Sequence, residues 1–179
     1  MSLKPCRRSA GRHSRHSAAN DVIFRALRSA GVPSIKEPAG CSRTDGKRPD
    51  GLTLVPWMRG RSLVWDFTCT DTYAPSNLLT TSSRSGAAAE LAEKSKKAKY
   101  AFLEGRYFFV PIAVETSGVW GKDGMKFVKD VGQRLQIVSG EPRSKAFLVQ
   151  RISIAVQKGN VASILGTLPH GKELDEIFY

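Results

Sequence analysis

Two aspartates in the first half of the chain could hold a metal ion. Asp50 follows a proline in the run KRPDG, and Asp66 interrupts the apolar run LVWDF. An ionised carboxylate is costly in an apolar setting, so Asp66 is expected to have a partner. Two close carboxylates repel each other unless a cation lies between them, and Mg²⁺ takes one or two carboxylates together with phosphate oxygens. The pair therefore predicts a site for Mg²⁺ or Mn²⁺ that could act on a phosphodiester.

Each aspartate also has a purely structural interpretation. Pro-Asp-Gly is a common turn sequence in which the aspartate caps its own backbone, so Asp50 alone is weak support for a site. Asp66 could instead be paired with a nearby arginine.

A lysine-rich segment follows, and it could supply positive charge to the same site. Its basic residues are Lys94, Lys96, Lys97 and Lys99. The i+4 spacing predicts ion pairs from Glu90 and Glu93 to the first and third of these lysines. Lys96 and Lys99 have no such partner and share a helix face. They could orient a metal-bound water or stabilise the charge of a phosphate in transition.

A hairpin would bring the two aspartates together. Apolar runs predict strands at 52–55 and 62–70, joined by a connection at 56–61 in which Gly60 can adopt a positive φ. Antiparallel pairing would place residues whose numbers add to about 116 opposite each other, and hence Asp50 opposite Asp66. The second strand is apolar on both faces and is expected to be central.

The remaining elements suggest a sheet with helices on both sides. Helical spacing of apolar residues predicts helices over 18–30, 86–103, 125–138 and 144–159, and further strands are expected at 33–38 and 106–116. Pro111 indicates a bulge or an edge in the last strand, and 71–85 is predicted to be a loop. The order favours an α/β, three-layer fold with a small mixed central sheet. We divide the chain into a basic arm (1–17), a domain (18–168) and a tail (169–179).

The charge of the chain points to polyanionic partners. The formal net charge is +12, and residues 1–48 alone hold 11 Lys or Arg against 3 acids. Such a basic chain is attracted to nucleic acid. No apolar run reaches the roughly 18 residues of a membrane span, and the basic N-terminus has no apolar stretch typical of a secretory signal. Three widely spaced cysteines suit a reducing compartment. These features predict a nuclear or cytoplasmic protein that is not secreted.

The acidic and basic motifs together resemble a known nuclease superfamily. Arg-Pro-Asp at 48–50, Val-Trp-Asp-Phe-Thr at 64–68 and Lys-Lys-Ala-Lys-Tyr at 96–100 are similar to the motifs of PD-(D/E)XK nucleases. The resemblance is greatest to the restriction-like endonuclease domain at the C-terminal end of non-LTR retrotransposon polyproteins, and it spans about residues 10–168. In that variant the lysine lies on the following helix. Thr68 occupies the position of the lysine in the parent motif.

The resemblance implies roles for individual residues. Asp50 and Asp66 would be metal ligands, Lys96 the catalytic lysine and Lys99 a second basic contact, with Tyr100 beside them. It implies a restriction-endonuclease-like fold, Mg²⁺ or Mn²⁺ as cofactor, DNA as partner with RNA as an alternative, and a reverse transcriptase domain in the same polyprotein. The superfamily often has a further acid on its first helix, for which the candidates are Asn20, Asp21 and Glu37.

The resulting hypothesis is a DNA endonuclease domain that nicks target DNA, and the alternative is an inactive nucleic-acid-binding remnant of the same fold. The predicted nucleic-acid contacts are Arg12, Arg15, Lys47, Arg48 and Tyr100. A structural or ribosome-associated basic protein is a further alternative.

Two other groups of residues could also do chemistry. Zinc is the less favoured metal, because only Cys6 precedes His13 and His16 and a four-ligand site would need Cys41 or a residue upstream. Glu115 is expected to form a salt bridge with Arg106 or Arg151.

Overall fold

The computed structural model describes residues 9–43 and 45–165, with side chains from residue 13 onward. These residues form a four-stranded mixed sheet and five α-helices. The strands are β1 (Ser34–Lys36), β2 (Gly51–Met58), β3 (Arg61–Thr70) and β4 (Phe108–Glu115). The helices are α1 (Ser9–Ser29), α2 (Pro75–Thr81), α3 (Ala87–Lys99), α4 (Lys122–Ser139) and α5 (Ser144–Leu165). Among the described residues, no helix is both long and apolar enough to cross a membrane.

The sheet has the order β1-β2-β3-β4, with the first three strands antiparallel and β4 parallel to β3. The prediction that β3 is central is confirmed, and Pro111 lies in an edge strand as expected. The hairpin turn is shorter than predicted. Arg59 and Gly60 alone form it, both with positive φ, which matches the twist of paired strands.

Helices cover both faces of the sheet, which confirms the three-layer α/β prediction. Leu63, Trp65 and Phe67 alternate along β3 on the face that packs against α1, α4 and α5 in the main core. Val64 and Asp66 lie on the opposite face, which α3 covers. Side chains of successive strand residues point to opposite faces, so this alternation assigns Asp66 to the α3 layer.

Two of the predicted irregular segments are helical. Helix α1 begins at Ser9 and therefore includes 9–17, which were predicted to be part of an arm. Within this segment Arg15 is buried and packs on Gly159 of α5. Helix α2 lies within the predicted loop 71–85, beginning at Pro75, a residue whose fixed φ suits a first turn. The rest of the arm, 1–8, and the predicted tail, 169–179, lie outside the described residues.

Candidate functional site

The β2–β3 register makes Asp50 and Asp66 neighbours at the point where β2 begins, as predicted. Gly51 pairs with Trp65 and Leu52 with Val64. One residue further, the Asp50 N–H donates to the Trp65 carbonyl at 3.0 Å. Two residues sixteen apart in the sequence are thereby neighbours across a strand pair.

Lys96 is the partner of Asp66. The Asp66 side chain is almost fully buried beneath α3, and the Lys96 Nζ donates to its Oδ1 at 2.5 Å. The lysine itself is partly exposed, with 22% of its side chain accessible. The ion pair explains how a carboxylate is tolerated in an apolar strand. It also excludes the alternative of an arginine as the partner at Oδ1.

Asp50 lies beside β3, immediately before the first residue of β2. Strand β2 starts at Gly51, so the peptide group of Phe67 has no strand partner on that side. The Phe67 N–H donates to Asp50 Oδ2 at 2.5 Å. The His16 Nε2 lies 3.2 Å from the same oxygen and 3.1 Å from the Phe67 carbonyl oxygen. Asp50 therefore caps a strand edge and contacts a basic side chain from α1.

Helix α1 is fixed at this position by a buried tryptophan. The Trp65 Nε1 donates to Asn20 Oδ1 at 2.8 Å, and the indole ring covers the Cα of Gly51, where any side chain would collide with it. His16 lies one turn before Asn20 and is thereby held over Phe67. His16 was not among the site residues predicted from the sequence.

The expectation of a further acid is not met by its three candidates. Asn20 is bound to Trp65. Asp21 pairs with Lys36 and Arg25 at the exposed side of α1, and the exposed Glu37 has a positive φ in the segment after β1. Among the α1 side chains that the structure describes, His16 is the one that contacts Asp50, so this part of the helix contributes a basic group there instead of an acid.

Asp50 and Asp66 both shift the pKa of nearby side chains. The pKa of His16 is raised, chiefly by its hydrogen bond to Asp50, while burial opposes this and the Asp66 charge adds to it. The pKa of Tyr100 is raised by burial first and then by Asp66 and Asp50. Both carboxylates therefore influence the same two side chains, His16 on the α1 side of the sheet and Tyr100 on the α3 side.

Tyr100 and Lys99 have structural contacts close to the site. Tyr100 is fully buried, and its hydroxyl donates to the Arg48 carbonyl at 3.0 Å. The prediction that Tyr100 contacts nucleic acid is therefore wrong, because the ring is inaccessible and anchors α3 to the segment before Asp50. The Lys99 Nζ lies 4.8 Å from the centre of the Tyr100 ring, and burial with the nearby Lys96 lowers its pKa.

The other predicted nucleic-acid contacts divide into two groups. Lys47 and Arg48 are exposed beside Asp50, as a contact with a phosphate backbone requires. Arg15 is buried against α5, where its guanidinium donates to Asn160 and its side chain packs on Gly159. Its predicted contact with DNA is wrong for that reason. Arg12 lies in α1, and its side chain is outside the described residues.

Two buried glutamates hold α3 in place, and their roles were not foreseen. Glu115 at the end of β4 accepts hydrogen bonds from the Ala88 and Ala89 N–H groups at 3.1 and 3.3 Å. The predicted salt bridge to Arg106 or Arg151 is wrong, since the helix N-terminus supplies the donors.

The second glutamate lies one turn before Lys96. Glu93 accepts from the Asp123 and Gly124 N–H groups at the start of α4, at 3.2 and 2.8 Å. The predicted ion pair from Glu93 to Lys97 is also wrong, because Lys97 pairs with Asp123. Helix α3 is thus tied to β4 at its start and to α4 at its middle, which directs Lys96 towards Asp66.

The oxygen atoms at the site suit a hard cation. Asp50, Asp66 and the Phe67 carbonyl are the ligand types that Mg²⁺ and Mn²⁺ accept, and Mg²⁺ needs only one or two carboxylates. Within 9–43 and 45–165, no group of three or more His, Cys, Asp or Glu side chains is arranged to hold a metal. For zinc, Cys41 is buried in the smaller core beneath α3, while His16 contacts Asp50. Cys6 lies outside the described residues.

Comparison with known proteins does not assign the chain to a family. No protein-family model and no curated protein matches its sequence.

Proposed function

We propose that the chain is a metal-dependent DNA endonuclease domain of retroelement origin that nicks target DNA by hydrolysing a phosphodiester. The observation that carries the proposal is that Asp50 and Asp66 are neighbours across the β2–β3 pair and that Lys96 forms an ion pair with Asp66. The motif resemblance implied site roles for these same three residues. They belong to three separate parts of the fold, which are a loop, a strand and a helix. The net charge of +12 supports DNA as the partner.

Asp50 and Asp66 would hold Mg²⁺ or Mn²⁺, which supplies an activated water and neutralises charge on the phosphate. Lys96 has a long side chain that is partly exposed, so it can turn from Asp66 towards a phosphate and stabilise the negative charge that develops there. Lys47 and Arg48, exposed beside Asp50, would contact the DNA backbone.

A second candidate is an inactive nucleic-acid-binding remnant of the same fold, and one observation favours it. The two carboxylates already have partners, Lys96 for Asp66 and His16 with the Phe67 N–H for Asp50. Such a site is electrically balanced without a metal ion. Basic surface residues would then provide the remaining function, which is binding.

Nicking of supercoiled plasmid with Mg²⁺ or Mn²⁺ tests the proposal. We expect the wild type to nick, and we expect Asp66→Asn and Lys96→Met to lose at least about 100-fold in rate, as for loss of a group that stabilises the transition state. Lys94→Met removes an exposed lysine from the same helix and should retain activity. Equal rates for the wild type and Asp66→Asn would indicate a contaminating nuclease and remove the proposal.

Titration calorimetry with Mn²⁺ separates the two candidates. The endonuclease requires binding by the wild type that Asp66→Asn abolishes. DNA binding without Mn²⁺ binding and without nicking would favour the remnant. Its affinity should fall steeply with salt, because phosphate contacts release counterions.

A further inference from the structure

Helix α5 has two apolar faces, and only one of them is used inside the domain. Leu148, Ile152 and Val156 are buried against the main core. On the other side Phe147, Ile154 and Val161 recur every seven residues and remain 58%, 54% and 54% exposed. The outer side of a surface helix is normally polar, so this second apolar series is unusual and suggests a contact with another molecule.

Basic side chains alternate with the exposed apolar ones. Arg151 and Lys158 are both exposed and follow Phe147 and Ile154 by four residues, so they lie on the same side of the helix. We call the series Phe147, Arg151, Ile154, Lys158 and Val161 the outer face. The sequence of α5 contains no Asp or Glu, so nothing within the helix balances these charges.

The spacing of the outer face fits another helix. Apolar residues seven positions apart stay on one side of a helix, and in paired helices such a line contacts the partner along its length. The repeat here covers two heptads, or about 21 Å at 1.5 Å per residue.

The positive charge of the outer face indicates which kind of partner helix would bind. Arg151 and Lys158 would face Asp or Glu on a complementary partner. In a pair of α5 helices from two copies of this chain, each basic outer face would meet another, because the helix has no acids. A phosphate backbone would use the basic residues but leave Phe147, Ile154 and Val161 in water.

We propose that the outer face of α5 binds an amphipathic helix of another protein segment, with apolar residues at heptad spacing and acidic residues beside them. This interaction is separate from nucleic-acid cleavage and does not depend on it. The outer face is formed by residues other than those around Asp50 and Asp66.

The test uses two fluorescein-labelled helical peptides of three heptads. Both have Leu at the contact positions; one has Glu at the flanking positions and its twin has Lys. Fluorescence anisotropy should show the Glu peptide binding the wild type at least about 10-fold more tightly than the Lys peptide, a difference of about 1.4 kcal/mol. Ile154→Glu should weaken the Glu peptide by a similar factor, and its circular dichroism spectrum checks that the domain is folded.

Charge exchange provides the matched control. The double variant Arg151→Glu, Lys158→Glu should reverse the preference between the peptides. The double variant Lys126→Glu, Lys129→Glu makes the same charge change on exposed positions of α4 and should leave the preference unaltered. Equal affinity of the wild type for both peptides would overturn the proposal. So would a dimer in sedimentation, or binding to anionic lipid vesicles, that Ile154→Glu abolishes.

Discussion

The domain contains two pairs of carboxylates that are stabilised in different ways. Glu115 and Glu93 accept hydrogen bonds from backbone N–H groups at the starts of α3 and α4. Asp66 and Asp50 interact with the side chains of Lys96 and His16, with one backbone N–H added for Asp50. All four carboxylates are largely withdrawn from solvent, so the type of partner distinguishes the two pairs.

This difference indicates that the two glutamates support the fold, whereas the side-chain partners of the two aspartates can be replaced. A helix N-terminus cannot leave its carboxylate unless the helix moves, so the glutamates fix the position of α3. Lys96 and His16 are partly exposed and can rotate away, which leaves the aspartates able to accept another cation. We therefore expect substitutions at the glutamates to affect stability more than substitutions at the aspartates.

The largest loss of stability is expected for Glu115→Ala. The substitution removes the acceptor for the Ala88 and Ala89 N–H groups and leaves a cavity, because Glu115 is almost fully buried. Buried unpaired donors and lost packing together should lower the free energy of unfolding by about 3 kcal/mol. Urea denaturation measures this, with the exposed Glu104→Ala as control. A loss no greater than that of the control would contradict the assignment of Glu115 as the anchor of α3.

A slightly smaller loss is expected for Gly121→Ala. A Cβ at Gly121 would lie only 2.2 Å from the Glu93 Oε1, so the carboxylate would have to leave the N–H groups of α4. Overpacking of this kind costs about 1–3 kcal/mol. Gly40→Ala is the matched control, since its Cβ would meet no atom within 4 Å. Similar thermal midpoints for the two variants would show that the Glu93 contact does not require a glycine.

Asp66→Asn should change stability least among the buried carboxylates, by under about 1 kcal/mol. The side chains have the same shape, and removing a buried charge offsets the loss of its ion pair. Lys96 is accessible enough to be hydrated once the pair is gone. Urea denaturation beside Glu115→Ala makes the comparison direct. A loss as large as that of Glu115→Ala would mean that the aspartate also supports the fold and that the two pairs do not differ.

Part of the site could be predicted from the sequence. The spacing of the hairpin predicted that Asp50 and Asp66 are neighbours, but the observed register also depends on irregularities that the sequence did not predict. The turn pairs Met58 with Arg61, and register shifts on either side of Pro56 then bring Gly51 opposite Trp65. Lys96, the partner of Asp66, was identified as a site residue from motif resemblance and from the lack of an acid four residues before it. The roles of Glu115 and Glu93 could not be predicted, because each depends on where a distant helix begins. The burial of Arg15 likewise depends on the packing of α5 against α1.

The smallest effect, and the one most specific to the aspartate pair, is a pH dependence from His16. The Asp50 hydrogen bond raises the pKa of His16 against the opposing effect of burial. A raised histidine pKa stabilises the fold fully below the unfolded pKa, about 6.5, and this stabilisation is lost as the pH rises through the folded value. His16→Gln should therefore lower the free energy of unfolding more at pH 5 than at pH 9 in urea denaturation. His13→Gln, an exposed site one turn earlier, should show no such difference. An equal loss at both pH values would mean that His16 contacts Asp50 as a neutral ring, and the aspartate pair would then have only one cationic partner, Lys96.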